Sequence, residues 1–344
     1  MPDTGYKNAG YEIKTFPIFY ISYLVSRIPY LYTMQTILIT GGTGLIGKAL
    51  TKLLCDPGYR IIILTRSPSK KENNKLISYA AWDIKKQLID IEAIQAADYI
   101  IHLVGAGVVE KRWSESYKKE IVESRTLSSK LLVDTLKNNT NKVKAIISAS
   151  AIGWYGADKE AGHYFVETEP ADAAFLGHTC LLWEQSIEPA AALGIRVCKL
   201  RTGIVLSNDG GAFVEFKKPI KFGLAAILSS GRQMVSWIHI EDLCRMYIHA
   251  IENETMNGSY NAVAPNPVSN KQLTLTLARS MRKTFFIPMH VPSVVLKIMM
   301  GESSIEVLKS TTVSCGKVVA AGFKFQYSTI EGAIEGLQAA SRKL

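Results

Sequence analysis

Residues Ile37-Leu38-Ile39-Thr40 run directly into Gly41-Gly42-Thr43-Gly44-Leu45-Ile46-Gly47, a glycine turn spaced G-x-x-G-x-x-G. An apolar stretch at helical spacing follows (Ala49, Leu50, Leu53, Leu54). Strand, glycine turn and helix start in that order leave few folds open, because they open a βα unit whose helix N-terminus is bare. Gly41 permits the tight turn, Gly44 lets a ligand approach the backbone, and Gly47 lets helix and strand close on each other. Unpaired N–H groups at such a terminus suit a pyrophosphate. A dinucleotide site is therefore expected, with Gly41, Thr43, Gly44, Leu45 and Ile46 as contacts.

From Met34 onward, continuous apolar runs alternate with helical patterns. Residues 60–65, 99–104 and 143–149 read as buried parallel strands, because their apolar residues are continuous rather than alternating. Residues 114–138 and 175–193 read as helices, the second closed by Gly194, and 195–200 as the next strand. This alternation predicts an α/β fold: a Rossmann-type, doubly wound parallel sheet with ligands at the carboxyl ends of its strands. Past Thr202 the rhythm loosens and glycine and proline become frequent. The expected layout is an extension over 1–33, an NADP-binding Rossmann domain over 34–201 that also receives later strands, substrate-lobe segments over 202–286, and a small C-terminal domain over 287–344. Helices are expected at 273–281, 291–300 and 329–337.

Over 344 residues the chain is 47% hydrophobic and 20% charged, with a net charge of +10. That charge raises the question of nucleic acid. The basic residues, however, lie in short clusters (Lys70-Lys71, Lys85-Lys86, Lys217-Lys218 with Lys221), without an arginine-rich arm. A solvated surface and a small-molecule partner are the expectation, with no nucleic acid, and a homodimer is left open. The five cysteines are odd in number, widely spaced and lack a C-x-x-C, which fits a reducing, cytoplasmic compartment. The segment before Met34 is apolar and aromatic but broken by Pro17, Arg27 and Pro29. An extension is the preferred reading there, against a peripheral membrane anchor or a signal sequence.

The second strand ends Leu64-Thr65-Arg66-Ser67-Pro68-Ser69-Lys70, with no acid to hold a ribose 2′-hydroxyl. Arg66 offers a planar donor fork to a 2′-phosphate, which favours NADP(H) over NAD. Asp83 reads either as an acceptor for the adenine amino group or as a turn aspartate. Leu103 and Gly105, at the end of the fourth predicted strand, would let the cofactor lie against backbone.

The glycine turn, the strand ending at Gly105 and Ser148-Ala149-Ser150-Ala151-Ile152-Gly153-Trp154-Tyr155-Gly156 together resemble the extended short-chain dehydrogenase/reductase superfamily. Lys111-Arg112-Trp113, Glu123-Ser124-Arg125, Cys180-x-x-Trp183-Glu184, Leu200-Arg201-Thr202-Gly203 and Ser236-Trp237-Ile238-His239 narrow the match. They are similar to an epimerase-like, nucleoside-diphosphate-sugar epimerase branch with its own small C-terminal domain. The resemblance implies a catalytic Ser, a Tyr that moves the proton, and a Lys four residues later that binds the nicotinamide ribose. Ser150 takes the serine position. Anchored on Glu184, the Tyr position holds Leu176 and the Lys position holds Cys180, and neither can do that work. Tyr155 is the nearest replacement for acid/base chemistry, ahead of His178, Glu167 and a nucleophilic Cys180. Arg112, Trp113, Arg201 and Arg232 are the expected substrate contacts. The expected function is an NADP(H)-binding, epimerase-like oxidoreductase or isomerase acting on a sugar-nucleotide or carbonyl substrate. The alternative is a non-catalytic NADPH sensor or scaffold.

Overall fold

Both faces of the first strand are buried. Ile37 and Ile39 pack to one side and Leu38 to the other, and none of the three keeps any exposed surface. Only a sheet covered on both faces accommodates such a run, which is the parallel arrangement expected from the sequence. The computed structural model describes residues 34–55, 58–68, 74–282 and 285–341. The readings for residues 1–33, and for Lys70 and Lys71, lie outside the described residues.

The glycine turn joins β1 (Thr36–Thr40) to α1 (Leu45–Cys55). Then follow β2 (Arg60–Thr65), β3 (Ile77–Asp83), β4 (Leu88–Ile89), α2 (Ile91–Ala96) and β5 (Tyr99–His102). The long α3 (Glu115–Asn138) leads to β6 (Ala145–Ala151), α4 (Phe175–Ile187) and β7 (Arg196–Thr202). The sheet has eight strands, in the order β12-β7-β6-β5-β1-β2-β3-β4, where β12 is Gly258–Ala262. Its pairs from β12 to β3 are parallel, and only β4 runs against its neighbour. The chain winds outward from β1 through β2 and β3, then returns to β5 on the other side of β1. That reversal places a crevice beyond the carboxyl ends of β1 and β5.

Local chemistry sets the helix ends. Ser114 caps α3 by accepting from the Tyr117 N–H. The helix predicted over 175–193 stops at Ile187 and continues as a 3-10 turn over Glu188–Leu193. Pro189 lacks the N–H needed to carry the α-helical ladder onward.

The remaining chain adds β8 (Ile204–Leu206), α5 (Ala212–Lys221), β9 (Leu224–Leu228), β10 (Met234–Val235), β11 (Trp237–His239) and α6 (Ile240–Glu252). After β12 come β13 (Val268–Ser269), α7 (Asn270–Arg282), β14 (Ile287–Val291) and α8 (Ser293–Met300). The chain closes through α9 (Ser304–Leu308), α10 (Gly316–Ala320) and α11 (Ile330–Ser341). Phe213, Trp237, Leu273 and Leu277 share one core with Ile330, Ile334 and Leu337. Residues 330–337 thus share a core with residues 206–278, while Val318 and Phe323 pack into the core beside β1 and Val313 into the cluster around Trp154. Among the described residues no helix is long and apolar enough to cross a membrane.

The turn leaves no room at its third glycine. A Cβ on Gly47 would lie 2.5 Å from Gly42 Cα and 2.7 Å from Gly42 C, both backbone atoms that cannot swing aside. Gly47→Ala is expected to lower stability by about 1–3 kcal/mol in thermal or urea unfolding. Lys48→Ala, one residue on and exposed, should change it by less than about 0.5 kcal/mol. Equal stability of the two variants would contradict this account of the turn.

Candidate functional site

Gly41 takes a left-handed φ of 69° and brings its backbone against β5, where a Cβ would meet Leu103 C and Val104 N at 3.1 Å. The Gly44 N–H donates to Gly41 O at 3.0 Å, and Lys48 N–H to Gly44 O at 3.0 Å, so the helix starts within the turn itself. The N–H groups of its first turn have no partner farther up the helix. Thr43 and Gly44 are exposed, and a Cβ on Gly44 would meet only Gly41 O, at 3.3 Å. An open cradle of backbone donors at a helix N-terminus fits a diphosphate. Leu45 and Ile46 follow it as the half-buried first residues of α1.

Arg66 follows β2 and is exposed at the rim of the crevice. Asp83 ends β3, and its Oδ1 accepts the N–H groups of Lys85 (3.0 Å) and Lys86 (3.2 Å). Asp83 therefore closes the hairpin turn into β4. Leu103 is half-buried and Gly105 exposed on the loop after β5.

Ser150, Tyr155 and Arg201 come together in one buried hydrogen-bonded cluster. Arg201 Nε and Nη2 donate to the two oxygens of Glu184 at 2.8 and 3.0 Å. Ser150 Oγ donates to Glu184 Oε1 at 2.7 Å and Ser259 Oγ to Oε2 at 2.8 Å. Arg201 Nη1 donates to Tyr155 Oη (3.0 Å) and Glu167 O (3.2 Å), and Tyr155 in turn donates to Asn261 Oδ1 (2.7 Å). Trp154 lies under the guanidinium, with its ring centroid 3.6 Å from Cζ. Ser150, Tyr155 and Arg201 are each 3% exposed.

Arg201 directs its whole guanidinium to protein acceptors. The Ser150 proton points inward to Glu184 rather than toward a substrate hydroxyl. Tyr155 gives its proton to Asn261, and burial, only partly offset by Arg201, pushes its hydroxyl up to about 12. Burial also works against the charged form of Glu184. The Arg201, Ser150 and Ser259 contacts outweigh it and hold the carboxyl below its usual range.

Leu176 and Cys180 face Gly153, just beyond β6: a Cβ there would sit 3.3 Å from Leu176 Cβ and 3.7 Å from Cys180 Sγ. Cys180 is buried, and desolvation pushes its thiol up to about 12, so it is no nucleophile at neutral pH. His178 is exposed on the outer face of α4. Trp113 Nε1 donates to Val108 O at 2.8 Å, and its ring meets Phe175 edge-on at 4.9 Å, tying the loop after β5 to the start of α4. Arg112 is exposed and reaches over Gly301, whose Cβ position lies 3.1 Å from its Nε.

A cavity of about 120 Å³ opens beside Gly153, lined by Ile152, Phe216, Gln233, Met234 and Lys309 among others. Lys309 is paired with Glu306 at 2.8 Å. Arg232 is exposed and does not line this cavity, while its neighbour Gln233 turns inward and donates to Leu228 O and Val307 O. Gln233 and Lys309 carry no expectation from the sequence, and Glu184 enters there only as a motif residue and an anchor for counting positions. The available signal was Glu184 itself, an acid beside Trp183 on the buried face of α4.

Removing the Glu184 charge leaves Arg201 buried without its anion. Glu184→Gln is therefore expected to cost about 3–5 kcal/mol at neutral pH. The folded pKa of Glu184 lies below its ordinary 4.5, so its contribution is full above that value and is lost as pH falls through the lower folded value. In unfolding curves the gap between wild type and Glu184→Gln should stay constant above pH 4.5 and narrow below it. A gap that does not depend on pH would refute the charged pair.

Residues 37–262 match the NAD dependent epimerase/dehydratase family, and residues 291–337 match a domain of unknown function, DUF1731. An epimerase family protein of Staphylococcus aureus (strain MRSA252) is 37% identical over 305 residues, covering 88% of this chain and 99% of that protein. The human epimerase family protein SDR39U1 (isoform 2), whose crystal structure holds NADPH, aligns with a TM-score of 0.77 at 26% identity, covering 89% of this chain and 99% of that one. A nucleoside-diphosphate sugar epimerase from Corynebacterium glutamicum aligns with a TM-score of 0.69 at 31% identity, over 88% of this chain and 57% of that one. With the glycine turn, the switch-point crevice and a family match across most of its length, the chain belongs to the NAD dependent epimerase/dehydratase family.

Proposed function

We propose that this chain binds NADP(H) at the glycine turn and uses it on a small carbonyl or carbinol ligand beside Gly153, without a tyrosine–lysine proton relay. The open cradle of N–H groups around Gly44 is the observation that carries the reading. Gly41, Thr43, Gly44, Leu45 and Ile46 would hold the diphosphate, and Leu103 and Gly105 the adjoining ribose. Asp83 keeps one carboxylate oxygen for the adenine side. Arg66 would meet the 2′-phosphate, and residues 65–71 contain no acid that would select a free 2′-hydroxyl instead. The NADPH in the structure of human SDR39U1 supports the same choice.

A bound nicotinamide would supply a hydride donor or acceptor, and the proton that balances the transfer would be exchanged with a water on the open side of the ligand. Leu176, Cys180 and Ile152 would give it an apolar wall that excludes water, with Arg112 and Trp113 at the rim. A cavity of about 120 Å³ falls below the ~300 Å³ at which drug-sized ligand sites begin. That favours a small carbonyl compound over a whole sugar nucleotide. The odd, widely spaced cysteines support a cytoplasmic setting. The sensor reading keeps one observation in its favour, namely that Ser150 and Tyr155 both direct their protons into the interior.

Arg66→Ala is expected to weaken NADPH binding by about tenfold or more, the worth of a charge-assisted contact, and to leave NADH binding nearly unchanged. Titration of intrinsic fluorescence measures both. A wild-type protein that binds NADH as tightly as NADPH would overturn the NADP(H) assignment. NADPH bound tightly, with no turnover across a panel of small carbonyl compounds, would favour the sensor.

A further inference from the structure

Among the described residues two arginines are buried, and one of the two has an anion. Arg201 is clamped by Glu184, whereas Arg125, on α3 and 8% exposed, pairs with no carboxylate among the described residues. Its Nη1 donates to Ile121 O of its own helix at 2.8 Å. Its Cζ stands 4.8 Å from the ring centroid of Trp183. On its other side lies Gly105, where a Cβ would come within 2.9 Å of Cζ and 3.1 Å of Nη2. A cation held out of water without a counter-ion is costly, and that cost is relieved when something negative or rich in acceptors arrives.

The surroundings say where. Gly105 is exposed at the switch-point crevice, on the loop that a bound dinucleotide must pass, and the glycine presents the guanidinium to that loop with no side chain between them. The Arg125 charge favours the ionised form of Cys180, the residue at which the family resemblance puts a ribose-binding lysine. Arg125 thus brings a positive group from the neighbouring helix to Trp183, which shares α4 with Cys180. A planar guanidinium fork offers donors to ribose hydroxyls and adjoining phosphate oxygens, and it stays charged where a lysine could lose its proton.

We infer that Arg125 holds the nicotinamide-side ribose of the dinucleotide, supplying from α3 the cation that α4 lacks at Cys180. This rests on the proposed NADP(H) reading of the glycine turn, and the experiment separates the two. Calorimetry on the full chain would compare NADPH with 2′,5′-ADP, which carries the adenosine half alone. Arg125→Leu is expected to weaken NADPH by about tenfold or more while leaving 2′,5′-ADP within about twofold. The melting temperature of the ligand-free protein should stay level or rise, because an apolar side chain relieves the buried charge. Arg125→Lys should recover part of the NADPH affinity, and it decides the question by the same ratio if the leucine variant does not fold. Unchanged NADPH affinity, or equal loss of both ligands together with a lower melting temperature, would overturn the role. Failure of the wild-type protein to bind either ligand would overturn the NADP(H) reading itself.

Discussion

A carboxylate buried beneath the ends of three strands has to be fully paired, and much of this molecule follows from that need. Glu184 accepts from Ser150 on β6, from Arg201 on β7 and from Ser259 on β12, so one α4 side chain ties three strands of the sheet to their covering helix. Each donor spent on Glu184 is lost to a ligand. Arg201 then recruits Tyr155, and Tyr155 recruits Asn261, so that the pairing extends from the carboxylate into the loop after β6. Ser150, Tyr155 and Arg201 are all members of this one pairing.

The C-terminal segment fixes the opposite wall of the cavity by a different means, main-chain pairing over long sequence distances. Phe165 N–H donates to Thr312 O and Ser314 N–H to Phe165 O, while Asp158 receives both the N–H and the hydroxyl of Thr312. Ser236 joins the same strap, donating to Thr311 O and accepting from Val313 N–H. These bonds hold the loop after β6 against the chain that follows α9. The cavity beside Gly153 is therefore shaped by segments about 150 residues apart, and its small volume reflects backbone that cannot easily withdraw.

This also explains which features were legible in the sequence. The glycine turn, the doubly buried strands and the helix over 114–138 depend on residues within a few positions of one another, and their spacing alone indicates the structure. The assignment of Leu176 and Cys180 to the Tyr and Lys positions is what the family resemblance implies, counted back from Glu184 along the helix that carries all three. The fate of Ser150 and Tyr155 was not legible, because their partners lie 34 and 106 residues away. Strand position decides where a side chain begins, whereas the direction of a hydroxyl proton depends on the strongest acceptor nearby. The core shared by residues 206–278 and 330–337 was hidden for the same reason, since Phe213 and Ile334 meet only after the chain has folded.

The floor of the crevice shows how the turn can work without a fixed cation beneath it. His102, at the end of β5, is fully buried, with ring nitrogens 2.7 Å from Thr40 Oγ1 and 3.1 Å from Ser129 Oγ. Burial pulls its imidazole down to about 3, so it is neutral wherever the protein is folded near physiological pH. Thr40 Oγ1 also accepts from Leu103 N–H, locking the end of β1 to the loop after β5. Directly under the glycine turn the protein thus places a rigid, uncharged hydrogen-bonded plug, and attraction for a diphosphate is left to backbone N–H groups and the dipole of α1. Such a cradle is pre-organised and needs no side chain to move. The positive side chains stand farther out, with Arg66 at the open rim and Arg125 against Gly105. On the proposed NADP(H) reading, the dinucleotide would be gripped at its centre by backbone and at its ends by guanidinium groups.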